Sequence, residues 1–153
     1  MCVFYHPYLI YYYTNLVNIK GLVGEASGSY GTYFGEYYNG NLQFGFGTSS
    51  TPQRVNLAVN TSNFPNGTTA FNETTLTYDK NIIRLYVNGV LKQYTTIGLL
   101  SFSTANIVIG RCYNQADRYF QGNLRDIKMY NRPLTANEVL TNYNQNKSEG
   151  LVA

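Results

Sequence analysis

The stretch Leu85-Tyr86-Val87-Asn88-Gly89-Val90-Leu91-Lys92, "LYVNGVLK", sets an Asn-Gly pair between two apolar arms. Both central residues of a two-residue type I′ turn need positive φ, which Asn and Gly reach at the least steric cost. The pair therefore predicts a tight β-hairpin in which Val87 faces Val90, Leu85 faces Lys92 and Ile83 faces Tyr94. One face then carries Ile83, Leu85, Val87, Val90 and Tyr94, the expected core side. The other carries Arg84, Tyr86, Leu91, Gln93 and Thr95, half polar and open to solvent or to a ligand. On this reading Asn88 and Gly89 are structural residues that pin the register.

Working outward, turn punctuation recurs at Gly21, Gly24, Gly28, Gly31, Asn39-Gly40, Asn66-Gly67, Gly110 and Gly122, with β-rich runs between. That rhythm predicts an all-β sandwich or barrel. Tyr33 to Tyr38 and Leu42 to Phe46 flank Asn39-Gly40 as a second hairpin, with Gly35 marking a bulge in its first arm. Further strands are expected in "ANIVIG", with Ile107 and Ile109 on one face, and in "GNLRDIKMY", where the apolar phase shifts between Leu124 and Ile127.

The period then changes. Thr135-Ala136-Asn137-Glu138 has the spacing of a capping box, with Leu134 and Val139 placed as a hydrophobic staple. A short helix is expected near 136–144, with Val139, Leu140 and Tyr143 on one face, followed by a frayed tail over 145–153. No linker divides the chain, so residues 1–153 read as a single domain.

Composition narrows the function classes. The 153 residues are long enough to bury a core without a metal or disulfide. Charged residues make up only 12%, while 16 Tyr and 8 Phe bring aromatics to 16%. A net charge of +3, with basic residues spread out, does not make a nucleic-acid footprint. Cys2 and Cys112 form neither a disulfide framework nor a zinc spacing. The apolar opening is broken by His6, Pro7 and Asn15 well short of the ~20 residues of a membrane span. Sequons at Asn60, Asn66, Asn72 and Asn146 follow from an Asn/Thr-rich composition and are not expected to carry glycans.

Three ordered blocks, "TLTYDKNIIRLYVNGVLKQ", "IVIGR" and "YFQGNLRDIKMYNRPLTANEVLTNY", resemble the concanavalin A-like, laminin G-like superfamily, in particular modules of phage, viral and bacterial surface proteins. The resemblance implies an all-β, antiparallel jelly-roll β-sandwich with a short C-terminal helix. It covers the last half of the chain clearly and Gly21 to Gly47 more faintly. Family modules are usually longer at the N-terminus, so the resemblance implies first strands that are missing, or supplied by the "YHPYLIYYY" run or by a neighbouring chain. Where many of them have Trp ahead of the "TYD" strand, this chain has Phe71 or a neighbour.

Catalysis finds little support. His6 is the sole histidine, which excludes a His-pair metal site and disfavours a Ser-His-Asp triad. No phosphate-binding glycine loop occurs. The E-x-D-x-x-E strand of jelly-roll glycoside hydrolases is missing, and Glu73 and Asp79 on one strand would stand roughly 20 Å apart, against the ~5–9.5 Å that glycosidases need. A carboxylate pair assembled across strands from Glu36, Asp117 or Asp126 stays open. No cofactor is required; the resemblance to pentraxins places Cys112, Tyr113 and Asn114 where their acidic run stands, so that calcium site is lost, and calcium, if bound, would need a different site built from Asn114, Asp117 and backbone carbonyls.

Carbohydrate binding needs a flat aromatic for sugar C–H faces and amide, carboxylate or guanidinium groups for paired hydroxyls. The stretch "RCYNQADRYFQG" offers Arg111, Tyr113, Asn114, Gln115, Asp117, Arg118 and Tyr119, and "EYYNGN" offers Tyr37, Tyr38 and Asn39. Gly110, Gly122, Thr135 and Glu138 are expected to be structural. The expected function is a non-catalytic lectin-like or adhesive module on a virion or cell surface, its partner a glycan or surface glycoconjugate. The alternative is a structural virion protein, a capsid or tail decoration subunit whose Tyr-rich faces pack on neighbouring subunits, including a homo-oligomer.

Overall fold

The computed structural model describes residues 20–25, 33–38, 41–46, 57–60, 71–97, 107–110, 128 and 130–150. Two compact units emerge, one from Met1–Thr14, Phe64–Gly98 and Asn123–Ala153, the other from Asn15–Asn63 and Leu99–Gly122.

The second unit holds a five-stranded antiparallel sheet of β1 (Lys20–Glu25), β2 (Tyr33–Tyr38), β3 (Asn41–Phe46), β4 (Leu57–Asn60) and β8 (Ile107–Ile109), in the order β4-β3-β2-β1-β8. The hairpin at Asn39-Gly40 forms as expected, with an unbroken register from Tyr33 opposite Phe46 to Tyr38 opposite Asn41. The expected bulge lies elsewhere: β2 runs regularly against β3, and the shift falls in β1 between Gly21 and Val23, opposite Glu36 and Gly35. Leu42, Phe44 and Leu57 are buried there, the alternation of β3 sending Leu42 and Phe44 to one face.

The first unit holds β5 (Thr74–Tyr78), β6 (Ile82–Val87) and β7 (Val90–Thr96), in the order β5-β6-β7, and helix α1 (Ala136–Ser148). Asn88 at φ 51° and Gly89 at φ 75° make the turn the sequence demands, with Val87 opposite Val90. Beyond that pair the expected register fails. Tyr86 faces Leu91 but Leu85 faces Gln93, so Lys92 is the extra residue of a β-bulge. A one-residue slip reverses every later side chain. Tyr94 consequently lies opposite Arg84 and is 64% exposed, while Gln93 and Thr95 take the places opposite Leu85 and Ile83. The core side is therefore Ile83, Leu85 and Val87, all fully buried, whereas Val90 on the outer strand is exposed. Tyr86, expected on the open face, is also buried, packed with Leu134, Val139 and Tyr130.

Helix α1 begins with the expected capping box: Thr135 Oγ1 accepts from the Glu138 amide at 3.2 Å, and the Glu138 carboxylate accepts from the Thr135 amide at 2.8 Å. Leu134 and Val139 are buried as a staple requires. Arg132 donates both terminal nitrogens to the same carboxylate, at 3.0 and 2.6 Å. Its guanidinium, helped by the Thr135 amide, holds Glu138 down from an ordinary 4.5 to about 2. A carboxyl depressed in the folded state adds stability above its unfolded value and loses it as pH falls through the folded one. Thermal unfolding followed between pH 5 and 2 is thus expected to show a loss of stability toward about pH 2 that is smaller in Glu138→Gln than in wild type. Equal pH profiles for the two proteins would refute this.

The helix does not stop at 144; it runs to Ser148, so the frayed tail read from polarity is corrected over 145–148. Asn146 is buried and held from both sides, its Nδ2 donating to Glu73 Oε2 at 2.8 Å and its Oδ1 accepting from Lys128 Nζ at 3.3 Å. Buried amide contacts, invisible to a hydropathy pattern, extend the helix. The strand expected in "GNLRDIKMY" lies outside the described residues except for Lys128 and Tyr130.

Gly89 answers a second demand besides its φ of 75°. A Cβ there would meet Leu140 Cδ1 at 3.0 Å and Tyr143 Cβ at 3.2 Å, so α1 rests directly on the turn. The exposed Leu140 can yield, but Tyr143 Cβ is fixed to the helix backbone. Gly89→Ala is expected to cost about 2 kcal/mol, from left-handed strain plus overpacking. An unchanged denaturant midpoint would show that neither constraint acts.

Candidate functional site

The sheet order decides where the sequence's candidate loops leave the scaffold. In β1, Lys20 pairs with Tyr37 on one side, while Val23 pairs with Ile109 on the other. Both neighbours run antiparallel to β1, so the C-terminal ends of β2 and β8 lie at the same end of the five-stranded sheet. Two strand spacings separate the strands laterally, roughly 10 Å, and β2 runs on three residues past Gly35, which stands in line with Ile109. Tyr38 closes β2 at that end, and Asn41 stands opposite it as β3 begins. Gly110, at φ 80°, follows the last residue of β8.

Of the expected site residues, Tyr37 and Tyr38 are therefore placed on the strand leading to this end. Asn39, Arg111, Tyr113, Asn114, Gln115, Asp117, Arg118 and Tyr119 lie outside the described residues, as do the calcium candidates Asn114 and Asp117 and the structural Gly122. What the backbone establishes is that β2 and β8 point their C-terminal ends in the same direction on either side of β1.

The other unit carries a surface group that the sequence reading missed. Arg84 Nη1 donates to Asp79 Oδ2 at 2.7 Å, with both side chains about one-third exposed, and exposed Tyr94 stands opposite Arg84 on β7. Arg84, with the Ile82 and Asn81 amides that Asp79 Oδ1 caps at 2.7 and 3.1 Å, holds the Asp79 carboxyl below the usual range. These charges satisfy each other, and Tyr94 stands exposed beside them. The signal was hidden because the Lys92 bulge reverses the face on which Tyr94 falls.

Glu73 is removed from chemistry at the surface. It is fully buried, its Oε2 accepting from Asn146 and its Oε1 from Thr75 Oγ1 at 3.3 Å. The pair first measured along the sequence, Glu73 and Asp79, is thus a buried anchor and a turn cap. Burial also decides two sequons: Asn72 and Asn146 are 0% and 1% exposed, so neither accepts a glycan in the folded chain, whereas Asn60 is exposed at the end of β4. Among the described residues, no helix is long and apolar enough to cross a membrane.

Comparison with known proteins bears on the same fold. A sequence profile described as Laminin_G_3, concanavalin A-like lectin/glucanases superfamily, matches residues 12–140. No curated protein sequence matches. Among solved structures, the botulinum neurotoxin serotype D binding domain superposes with a TM-score of 0.70 at 19% identity, covering 93% of this chain and 37% of that one. The serotype D ligand-binding domain in complex with N-acetylneuraminic acid gives 0.71 at 17% identity, over 94% and 37%. The NanB sialidase from Streptococcus pneumoniae gives 0.73 at 13% identity, over 92% and 24%. The chain thus spans well under half of each of these proteins. At these identities the likeness is one of fold, an all-β jelly-roll β-sandwich of the concanavalin A type with a short C-terminal helix, as the sequence led one to expect.

Proposed function

We propose that this chain, which belongs to the concanavalin A-like lectin/glucanases superfamily, is a non-catalytic carbohydrate-binding module displayed on a virion or cell surface. The observation that carries the reading is the convergence of β2 and β8 on one end of the five-stranded sheet. In this reading Tyr37, Tyr38 and Asn39, at and after the end of β2, act together with Arg111, Tyr113, Asn114, Gln115, Asp117, Arg118 and Tyr119, which follow β8 in sequence. Tyrosine faces stack on sugar C–H groups while amides and guanidinium groups bond hydroxyls, which is the chemistry a glycan site needs. Support in kind comes from the neurotoxin ligand-binding domain solved with N-acetylneuraminic acid. Residues 1–153 act as a single binding domain in this proposal, and calcium, if used, falls to Asn114 and Asp117.

A second reading, a structural subunit of a particle, is favoured by one observation. Val90, Leu91, Tyr94 and Leu140 are exposed on the unit that carries α1, and such side chains suit burial against neighbouring subunits. A glycan array probed with and without EDTA, alongside sedimentation of the free protein, separates the two. Glycan binding without release of sugar products supports the module. Ordered oligomers with no glycan bound favour the structural subunit, and hydrolysis of the bound glycan overturns both.

A further inference from the structure

Asn-Gly sequences are chemically fragile, yet the fold closes one of them. Asn88 is 4% exposed, and its amide is engaged at both atoms: Oδ1 accepts from the Glu73 amide at 2.8 Å, and Nδ2 donates to Asn72 Oδ1 at 2.9 Å. Its backbone amide donates to Glu73 O at 2.9 Å as well. Deamidation requires the Gly89 nitrogen to attack Asn88 Cγ. The new C–N bond closes a succinimide, the Gly89 amide proton and the Asn88 amide leave together as ammonia, and water then opens the ring to aspartate or isoaspartate. To bring Cγ to the Gly89 nitrogen, the side chain must leave both of its hydrogen-bond partners, and the turn must separate from α1, which seats Leu140 and Tyr143 against Gly89.

We propose that Asn88-Gly89 is a latent deamidation site, closed in the folded chain and opened by unfolding, whose conversion blocks the return to the native state. Aspartate at 88 would turn an acceptor toward Asn72 Oδ1 and place a charge in the same buried group as Glu73. If the Asn72 amide turned over, the acceptor conflict would go but the buried charge would remain. Isoaspartate adds a methylene to the backbone, which a two-residue type I′ turn does not accommodate. Unfolding therefore acquires a chemical ratchet at the residue that pins the hairpin.

Trypsin, cutting after Arg84 and Lys92, releases Leu85–Lys92 as one peptide that reports the site alone. The protein is held at mildly alkaline pH with and without urea, sampled over days and mapped by mass spectrometry. Asn39-Gly40 and Asn66-Gly67 in the same urea sample set the rate of an open Asn-Gly sequence. The expected result is conversion at Asn88 in urea comparable to theirs, and in the folded protein slower by more than roughly a hundredfold, because opening is needed first. Refolding yield after urea should fall with the converted fraction, and Asn88→Asp should show the same loss of refolding. Comparable native and urea rates at Asn88, or an Asn88→Asp protein that folds with the wild-type midpoint, would overturn the proposal.

Discussion

Asn88→Ala is expected to lower the unfolding free energy by about 3 kcal/mol, a large part of the ~5–15 kcal/mol that domains possess. Two costs combine. Removing the amide leaves the Glu73 N–H and Asn72 Oδ1 without this partner inside the protein, where an unmet polar group costs ~1–3 kcal/mol. Alanine must also hold φ 51°, a left-handed conformation that costs roughly 1–2 kcal/mol. In a chain of this size the melting temperature should fall by roughly 6–12 °C. Asn88→Gly relieves the backbone term and not the amide term, so it should recover only part of the loss. Full recovery would mean that the hydrogen bonds contribute nothing, and glycan affinity lost with stability retained would make Asn88 a binding residue.

Glu73→Ala should be as damaging, about 3–4 kcal/mol, through a core cavity and the loss of the acceptor for Asn146 Nδ2 and Thr75 Oγ1. The contact joins residues 73 and 146, so its loss should be felt far along the chain. Hydrogen exchange at 145–148 is expected to quicken in Glu73→Ala while the capped first turn of α1, held by Thr135 and Glu138, stays protected. A double-mutant cycle with Asn146→Ala should give a coupling of about 1–3 kcal/mol. Additive losses, with uniform exchange along α1, would show that the buried pair is incidental to the helix.

Local chemistry was the legible part of the fold. Asn88-Gly89 declared its own turn because few residues tolerate consecutive positive φ, and Thr135 with Glu138 declared the helix start because caps act within one turn. Turn rhythm gave an all-β sandwich or barrel, and the concanavalin A-like class came from the resemblance of three ordered blocks to that superfamily. The Lys92 bulge was not legible, since a one-residue slip leaves no mark in "VLKQYTT", and with it went the face of Tyr94. The roles of Glu73 and Asn146 were hidden for a different reason: both are polar, and their burial follows from partners distant in sequence. The candidate site was legible as composition, in Tyr and Asn near two turns, but not as a place. Bringing β2 and β8 to the same end of β1 is a property of strand order, which local periodicity does not encode.

Binding at that sheet end is tested most directly by comparing three variants on the glycans that the wild-type protein binds. Tyr37→Ala and Tyr113→Ala are each expected to melt like wild type and to bind roughly tenfold more weakly, as losing one aromatic stack of about 1.4 kcal/mol requires. Tyr94→Ala, on the other unit, is expected to bind as wild type does. Undiminished binding by both Tyr37→Ala and Tyr113→Ala, with loss in Tyr94→Ala, would contradict the account and move the site to the face of Arg84 and Asp79.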